Sequence, residues 1–163
     1  MTSRRLAAIL SADVAGFTRL MDVDEPGTYA ALRDLRAAID PVIDRHGGRI
    51  VGTAGDSVLA EFPSAVSAVE AAIEIQSCTA EFNAGRSGPK IEFRIGISLG
   101  DVMVADDGDV FGTGVNIAAR IQAMAAPGSI WVADSVHRAV ESTLGGFTAR
   151  GPHALKNIEA EVA

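Results

Sequence analysis

Asp13 and Asp56 are the residues of this chain whose type and setting could do chemistry. Asp13 closes the apolar run Leu6-Ala7-Ala8-Ile9-Leu10-Ser11-Ala12 and is followed by Val14-Ala15-Gly16-Phe17-Thr18. Asp56 follows Arg49-Ile50-Val51-Gly52-Thr53-Ala54-Gly55 and precedes the run Val58-Leu59-Ala60-Glu61-Phe62. Each falls where a predicted strand turns. If the two strands are neighbours, both carboxylates converge on one point, which suits divalent cations and the polyphosphates they carry. Gly16 and Gly55 leave room for a phosphate to approach the backbone. One aspartate at a turn is explained by turn chemistry alone, so the reading rests on the pair.

Asn116 and Arg120 form a second constellation, within Gly112-Thr113-Gly114-Val115-Asn116-Ile117-Ala118-Ala119-Arg120. Four residues apart, they share one face of a predicted helix near its start. An amide and a guanidinium so placed could clamp an oxyanion or a phosphate. By spacing alone, a surface ion pair for Arg120 and a near-cap role for Asn116 explain them equally well. Gly112 and Gly114 lack the third glycine of a dinucleotide fingerprint. His46, His137 and His153 are scattered without metal-ligand spacing. Asp106, Asp107 and Asp109 lack the spacing of a calcium loop and read as a solvated turn.

These residues need elements to position them. Residues 6–12 read as a buried strand. Helical periodicity over 28–44, with Tyr29, Leu32, Leu35, Ile39, Val42 and Ile43, predicts a helix kinked at Pro41 and ended by His46-Gly47-Gly48. Residues 49–53 and 57–62 read as two strands joined tightly through Gly55-Asp56. Ser64 caps a second helix. The stretch 91–104 reads as a strand, a turn at Gly100-Asp101 and a second short strand. A third helix over 113–125, a strand at 129–132 and a helix over 134–142 follow. The order predicts an α+β sheet covered mainly on one face, with a ferredoxin-like βαββαβ core at the front.

The 163 residues are enough for one domain with a full core. No apolar run reaches membrane-spanning length, and Met1-Thr2-Ser3-Arg4-Arg5 precedes only a strand-length apolar run, not a signal peptide. A net charge of -7 argues against nucleic acid or an anionic membrane as partner. Cys78 is the sole cysteine, so no internal disulfide can form, which fits a cytoplasmic setting. Its neighbours supply no activating base, so it reads as a partly buried structural thiol.

Taken in order, five segments are recognisable. They are the Ser11 to Thr18 segment, His46-Gly47-Gly48-Arg49-Ile50-Val51 leading to Gly55-Asp56, Phe93-Arg94-Ile95-Gly96-Ile97, the Gly112 to Arg120 segment and Leu155-Lys156-Asn157-Ile158. Together they strongly resemble the catalytic domain of bacterial class III adenylate/guanylate cyclases, over nearly the whole of 1–163. The resemblance implies a head-to-tail homodimer with active sites at its interface. It implies that Asp13, Asp56 and the Val14 carbonyl bind two Mg²⁺ or Mn²⁺ ions and that ATP is converted to 3′,5′-cyclic AMP and pyrophosphate. Asn116 would orient the ribose and Arg120 would neutralise the α-phosphate, both from the second subunit, while Lys156 would hold the β- and γ-phosphates. Two positions read the purine: Gly52, where such cyclases commonly carry a lysine, and Asp109, which can accept from the adenine amino group. An inactive regulatory module that binds nucleotide, and a guanylate cyclase, are the alternatives. The family usually closes with a strand after the Leu155 to Ile158 segment. The chain is therefore expected to lack that last strand and to belong to a longer protein with regulatory domains.

Overall fold

The computed structural model describes residues 3–88 and 90–144, together with the backbone of two short strands within 152–161. The central strand, β1 (Ser3–Val14), is longer than the apolar run that predicts it. Both of its edges are paired. β3 (Ser57–Phe62) runs antiparallel on one side, and β4 (Phe93–Val104) on the other, from Ser3↔Val104 to Val14↔Phe93. β2 (Arg49–Ala54) lies outside β3. β5 (Val110–Phe111) and β6 (Ile130–Val132) both pair with β4, giving the order β2-β3-β1-β4-β5 with β6 beside β4.

Two helices, α1 (Phe17–Val23) and α2 (Glu25–Arg45), connect β1 to β2, and α3 (Ala65–Ala84) connects β3 to β4. This is the ferredoxin-like βαββαβ core that the sequence predicts. It is extended by α4 (Thr113–Met124), α5 (Asp134–Val140) and a hairpin of β7 (Pro152–Leu155) and β8 (Ile158–Glu161).

Alternation along β1 sorts the core. Ala8, Leu10, Ala12 and Val14, with Phe93, Ile95 and Ile97 opposite the last three, point to one face. There they are buried beneath Leu35, Ile39 and Ile43 of α2 and Val69 and Ile75 of α3. Ala7, Ile9, Ser11 and Asp13 point to the other face. The sequence predicts a sheet covered mainly on one side; in the structure α4 covers part of this second face, over β1 and β4. Gly96 makes that possible. A Cβ at Gly96 would collide with the Gln122 amide nitrogen and the Ala118 carbonyl oxygen, so α4 rests directly on the strand backbone.

Three other differences have clear causes. α2 starts at Glu25, not at residue 28, because Pro26 and Gly27 sit in a first turn that tolerates them and the Asp24 side chain caps the Gly27 N–H. β4 passes straight through Gly100 and Asp101, where a turn is predicted, because Ala7 and Leu6 of β1 pair with them. The short helix α1 has no apolar stripe long enough to announce it; none of its residues is buried.

Candidate active site

Asp13 is the last but one residue of β1 and faces the α4 side, directly opposite Arg94 on β4. Its two oxygens accept from Arg94 Nε at 3.0 Å and Nη2 at 2.9 Å, a bidentate fork. Arg94 Nη1 also donates to the Ala123 carbonyl of α4 at 3.3 Å. Asp56 occupies the tight turn between β2 and β3. Its Oδ2 accepts the Val14 N–H at 2.8 Å, so one carboxylate is bonded to the amide that follows the other. The neighbouring strands that convergence requires are present, since β1 and β3 pair as far as Ala12↔Val58. Asp13 and Arg94 keep about a quarter of their side chains exposed, 24% and 29%. The corner is partly shielded but open to a ligand.

The donor set is hard oxygen, the chemistry that Mg²⁺ and Mn²⁺ prefer. No group of three or more His, Cys, Asp or Glu able to hold a metal occurs among the described residues. Such a site fits an ion that takes one or two carboxylates and completes its shell with water and substrate phosphates; it does not fit an all-protein cage. Asp56 Oδ1 has no hydrogen bond among the described residues, whereas any ion at Asp13 meets the guanidinium of Arg94 already in place.

α4 carries the second constellation. Its first turn is seated by the Ser98 hydroxyl, which donates to the Gly114 carbonyl at 2.5 Å. Its last turns are seated by Ser11, whose hydroxyl donates to Gln122 Oε1 at 3.4 Å, and by Arg94. Ser98 pairs with Ile9, and at about 3.3 Å per residue that row lies about 13 Å from Asp13 along β1. Asn116, exposed near the start of α4, is therefore held away from the two aspartates of its own chain. Arg120 is half-buried, and its Nη1 is buried with no hydrogen-bond partner among the described residues.

Gly52 lies on β2 opposite Leu59, just past a bulge that follows Ile50. Leu59 in turn faces Ser11, which puts Gly52 on the aspartates' face of the sheet. A Cβ there would meet only Leu59, at 3.8 Å, so the position has room for a side chain. Asp109 is exposed, and its N–H donates to Asp107 Oδ1 at 2.9 Å. Lys156 lies outside the described residues. Sequence reasoning missed Arg94 as part of the site. Its signal was an arginine set between apolar residues of a buried strand, but the partner could be named only once the register was known.

Residues 2–162 match the family model of the adenylate and guanylate cyclase catalytic domain. The protein called putative adenylate cyclase 3 of Rhizobium meliloti (strain 1021) is 44% identical over 164 residues, which cover 98% of this chain and 27% of that protein. An adenylate cyclase of Streptomyces coelicolor is 36% identical over 135 residues, 81% of this chain and 33% of its own length. The chain thus matches a third or less of these two curated relatives. A crystal structure of an adenylate/guanylate cyclase/hydrolase from Silicibacter pomeroyi superposes with a TM-score of 0.91 at 40% identity, covering 99% of this chain and 96% of that one. With the family model spanning nearly all of its residues, and the paired carboxylates at the corner of a matching fold, the chain belongs to the adenylate and guanylate cyclase catalytic domain family.

Proposed function

We propose that this domain is a metal-dependent adenylate cyclase that converts ATP to 3′,5′-cyclic AMP and pyrophosphate at the interface of a homodimer. The observation that carries the proposal is the Asp56 to Val14 amide bond, which fastens the two carboxylates to one corner. Asp13, Asp56 and the Val14 carbonyl would hold two Mg²⁺ or Mn²⁺ ions. When bound, such ions acidify the ribose 3′-hydroxyl and compensate the charge of the triphosphate.

The remaining tasks fall to the protein. The 3′-oxygen attacks the α-phosphorus in line and pyrophosphate leaves, so the ribose must be held at a fixed angle to the triphosphate. The Asn116 amide supplies that restraint from a second copy of the chain. Arg120 of the same copy presents guanidinium N–H groups to the charge growing on the α-phosphate. The separation of Asn116 from the aspartates within one chain supports this division of labour. Lys156 is assigned to the β- and γ-phosphates as a point charge. For the base, the Asp109 carboxylate accepts from the adenine amino group and repels guanine O6, which favours ATP over GTP. Gly52 contributes no contact.

Incubating the chain with ATP and Mn²⁺ and measuring cyclic AMP and pyrophosphate tests the proposal. Product above an Asp13→Ala control is expected; none overturns it. The missing side chain at Gly52 gives a second reading some weight, a domain that binds nucleotide without turnover. Saturable ATP binding by calorimetry with no product would establish that reading, and GTP turnover exceeding ATP turnover would make the domain a guanylate cyclase.

A further inference from the structure

Arg49 opens β2 at one edge of the sheet, and Gly108 lies in the turn between β4 and β5 at the other. In a flat sheet, four inter-strand steps of about 4.8 Å would hold these edges about 19 Å apart, beyond the reach of any side chain. Yet Arg49 Nη2 donates to the Gly108 carbonyl at 3.2 Å. The β4–β5 end therefore curls back over the face that carries Ala7 and Ile9. Val110 is buried there with them, and Val51, Leu59 and Val104 pack around the cluster.

Arg49 is itself anchored. Its Nε and Nη2 donate to Glu61 Oε1 at 3.0 and 2.7 Å, and Arg5 pairs with the same oxygen. Glu61 is only 6% exposed. A planar guanidinium held at two nitrogens by a buried carboxylate has little freedom left. Glu61 Oε2 is buried with no hydrogen-bond partner among the described residues, which carries a cost in stability. Gly108 completes the contact. Its φ of +87° favours glycine, and a Cβ there would come within 3.2 Å of Arg49 Nη1.

Asp109 follows Gly108, and its turn is closed by local bonds: Ala105 N–H to the Asp109 carbonyl and Gly108 N–H to the Ala105 carbonyl, each 2.9 Å. Gly52 lies on the same strand as Arg49. The two base-facing positions thus belong to opposite edges of the sheet, and Arg49 joins those edges. We infer, resting on Asp109 as the proposed purine reader, that Arg49 is the positioning residue for base selection. Clamped on Glu61, it fixes the turn that bears Asp109 against the strand that bears Gly52. A carboxylate selects a base only when held within a fraction of an ångström of hydrogen-bond geometry, and a free turn does not hold it so.

The test uses the whole chain carrying Arg49→Gln, Arg49→Lys, Gly108→Ala, Asp109→Asn, or Arg49→Gln with Asp109→Asn. Amide hydrogen exchange reports on residues 105–109, and kcat/KM for ATP and GTP reports on selection. Arg49→Gln and Gly108→Ala are expected to speed exchange in the turn by about tenfold. They are also expected to cut the ATP:GTP ratio by about fivefold, chiefly through KM for ATP. Arg49→Lys should fall between wild type and Arg49→Gln in both, and Arg49→Gln should add nothing once Asp109 is Asn. Faster exchange with an unchanged ratio, while Asp109→Asn alone shifts the ratio, overturns the role of Arg49 and spares that of Asp109. An Asp109→Asn chain with an unchanged ratio removes the purine reader itself, and this inference with it.

Discussion

At the scale of single residues, the guanidinium of Arg94 on both oxygens of Asp13 sets the terms on which a cation can enter. An opposite charge already in place satisfies the carboxylate and repels an incoming ion. Arg94→Met should therefore bind Mn²⁺ about threefold to tenfold more tightly in the absence of nucleotide, as calorimetry would show. Because the pair is partly exposed and screened, its loss should cost only about 1 kcal/mol of stability. Asp56→Asn separates the two roles of that side chain. The amide oxygen can still accept the Val14 N–H, so stability should change by less than about 1 kcal/mol. Mn²⁺ affinity should nevertheless fall by about tenfold or more, since a neutral ligand replaces a charged one. A variant that unfolds would show that Asp56 serves the turn and not an ion. Gly52→Lys, whose Cβ would make only ordinary contact with Leu59, should raise the preference for ATP over GTP, measured in competition; an unchanged preference would mean that β2 does not face the base. That Asp13 and Asp56 meet at one corner was legible in the sequence, because a carboxylate at the end or the start of an apolar run is conspicuous. Arg94 was not legible as their companion, because cross-strand partners follow from register.

At the scale of elements, α4 depends on a strand position without a side chain. Gly96→Ala would drive a methyl group into the backbone of α4 at Gln122 and Ala118, where no flexible side chain can yield. The loss should be about 2 kcal/mol or more, read from the midpoint of urea unfolding. A near-neutral result would mean that α4 is free to stand off from β4. α2, α3 and α4 were legible because each buries one apolar stripe at helical spacing. The coverage of the second face was not legible. Ala7, Ser11 and Gly96 look like weak core residues in isolation, and only their alignment across β1 and β4 shows a flat seat for a helix. Gly100 and Asp101 misled for the opposite reason. A full ladder with β1 overrode the local preference for a turn.

At the scale of the molecule, the separation of Asn116 from the aspartates bears on how many chains the proposed active site needs. Two inactive chains, one Asp13→Ala and one Arg120→Ala, should regain activity when mixed, because one site of each mixed dimer receives both intact residues. In a symmetric dimer with equal mixing, about a quarter of the wild-type sites would be restored. No recovery, despite exchange of subunits seen by sedimentation, would place the whole site within one chain. The ferredoxin-like core was legible from the order of elements. The curl that brings the β4–β5 turn to β2 was not, because it is a property of the whole sheet, and Arg49 and Gly108 are 59 residues apart in sequence.

The double pairing of β1 also governs when the site can come into being. Asp13 is held by Arg94, and β1 is flanked by Val58 to Phe62 on one side and Phe93 to Val104 on the other, all of which follow it in the chain. Contacts of such long sequence separation form late, after the loop entropy between them has been overcome. During synthesis, the strand that carries Asp13 is made before any partner that could hold it. A cation bound at this corner, as proposed, would therefore report that β1 and β3 have paired, and a chain interrupted at Asp56, before β3, would carry both aspartates without the strand that brings them together.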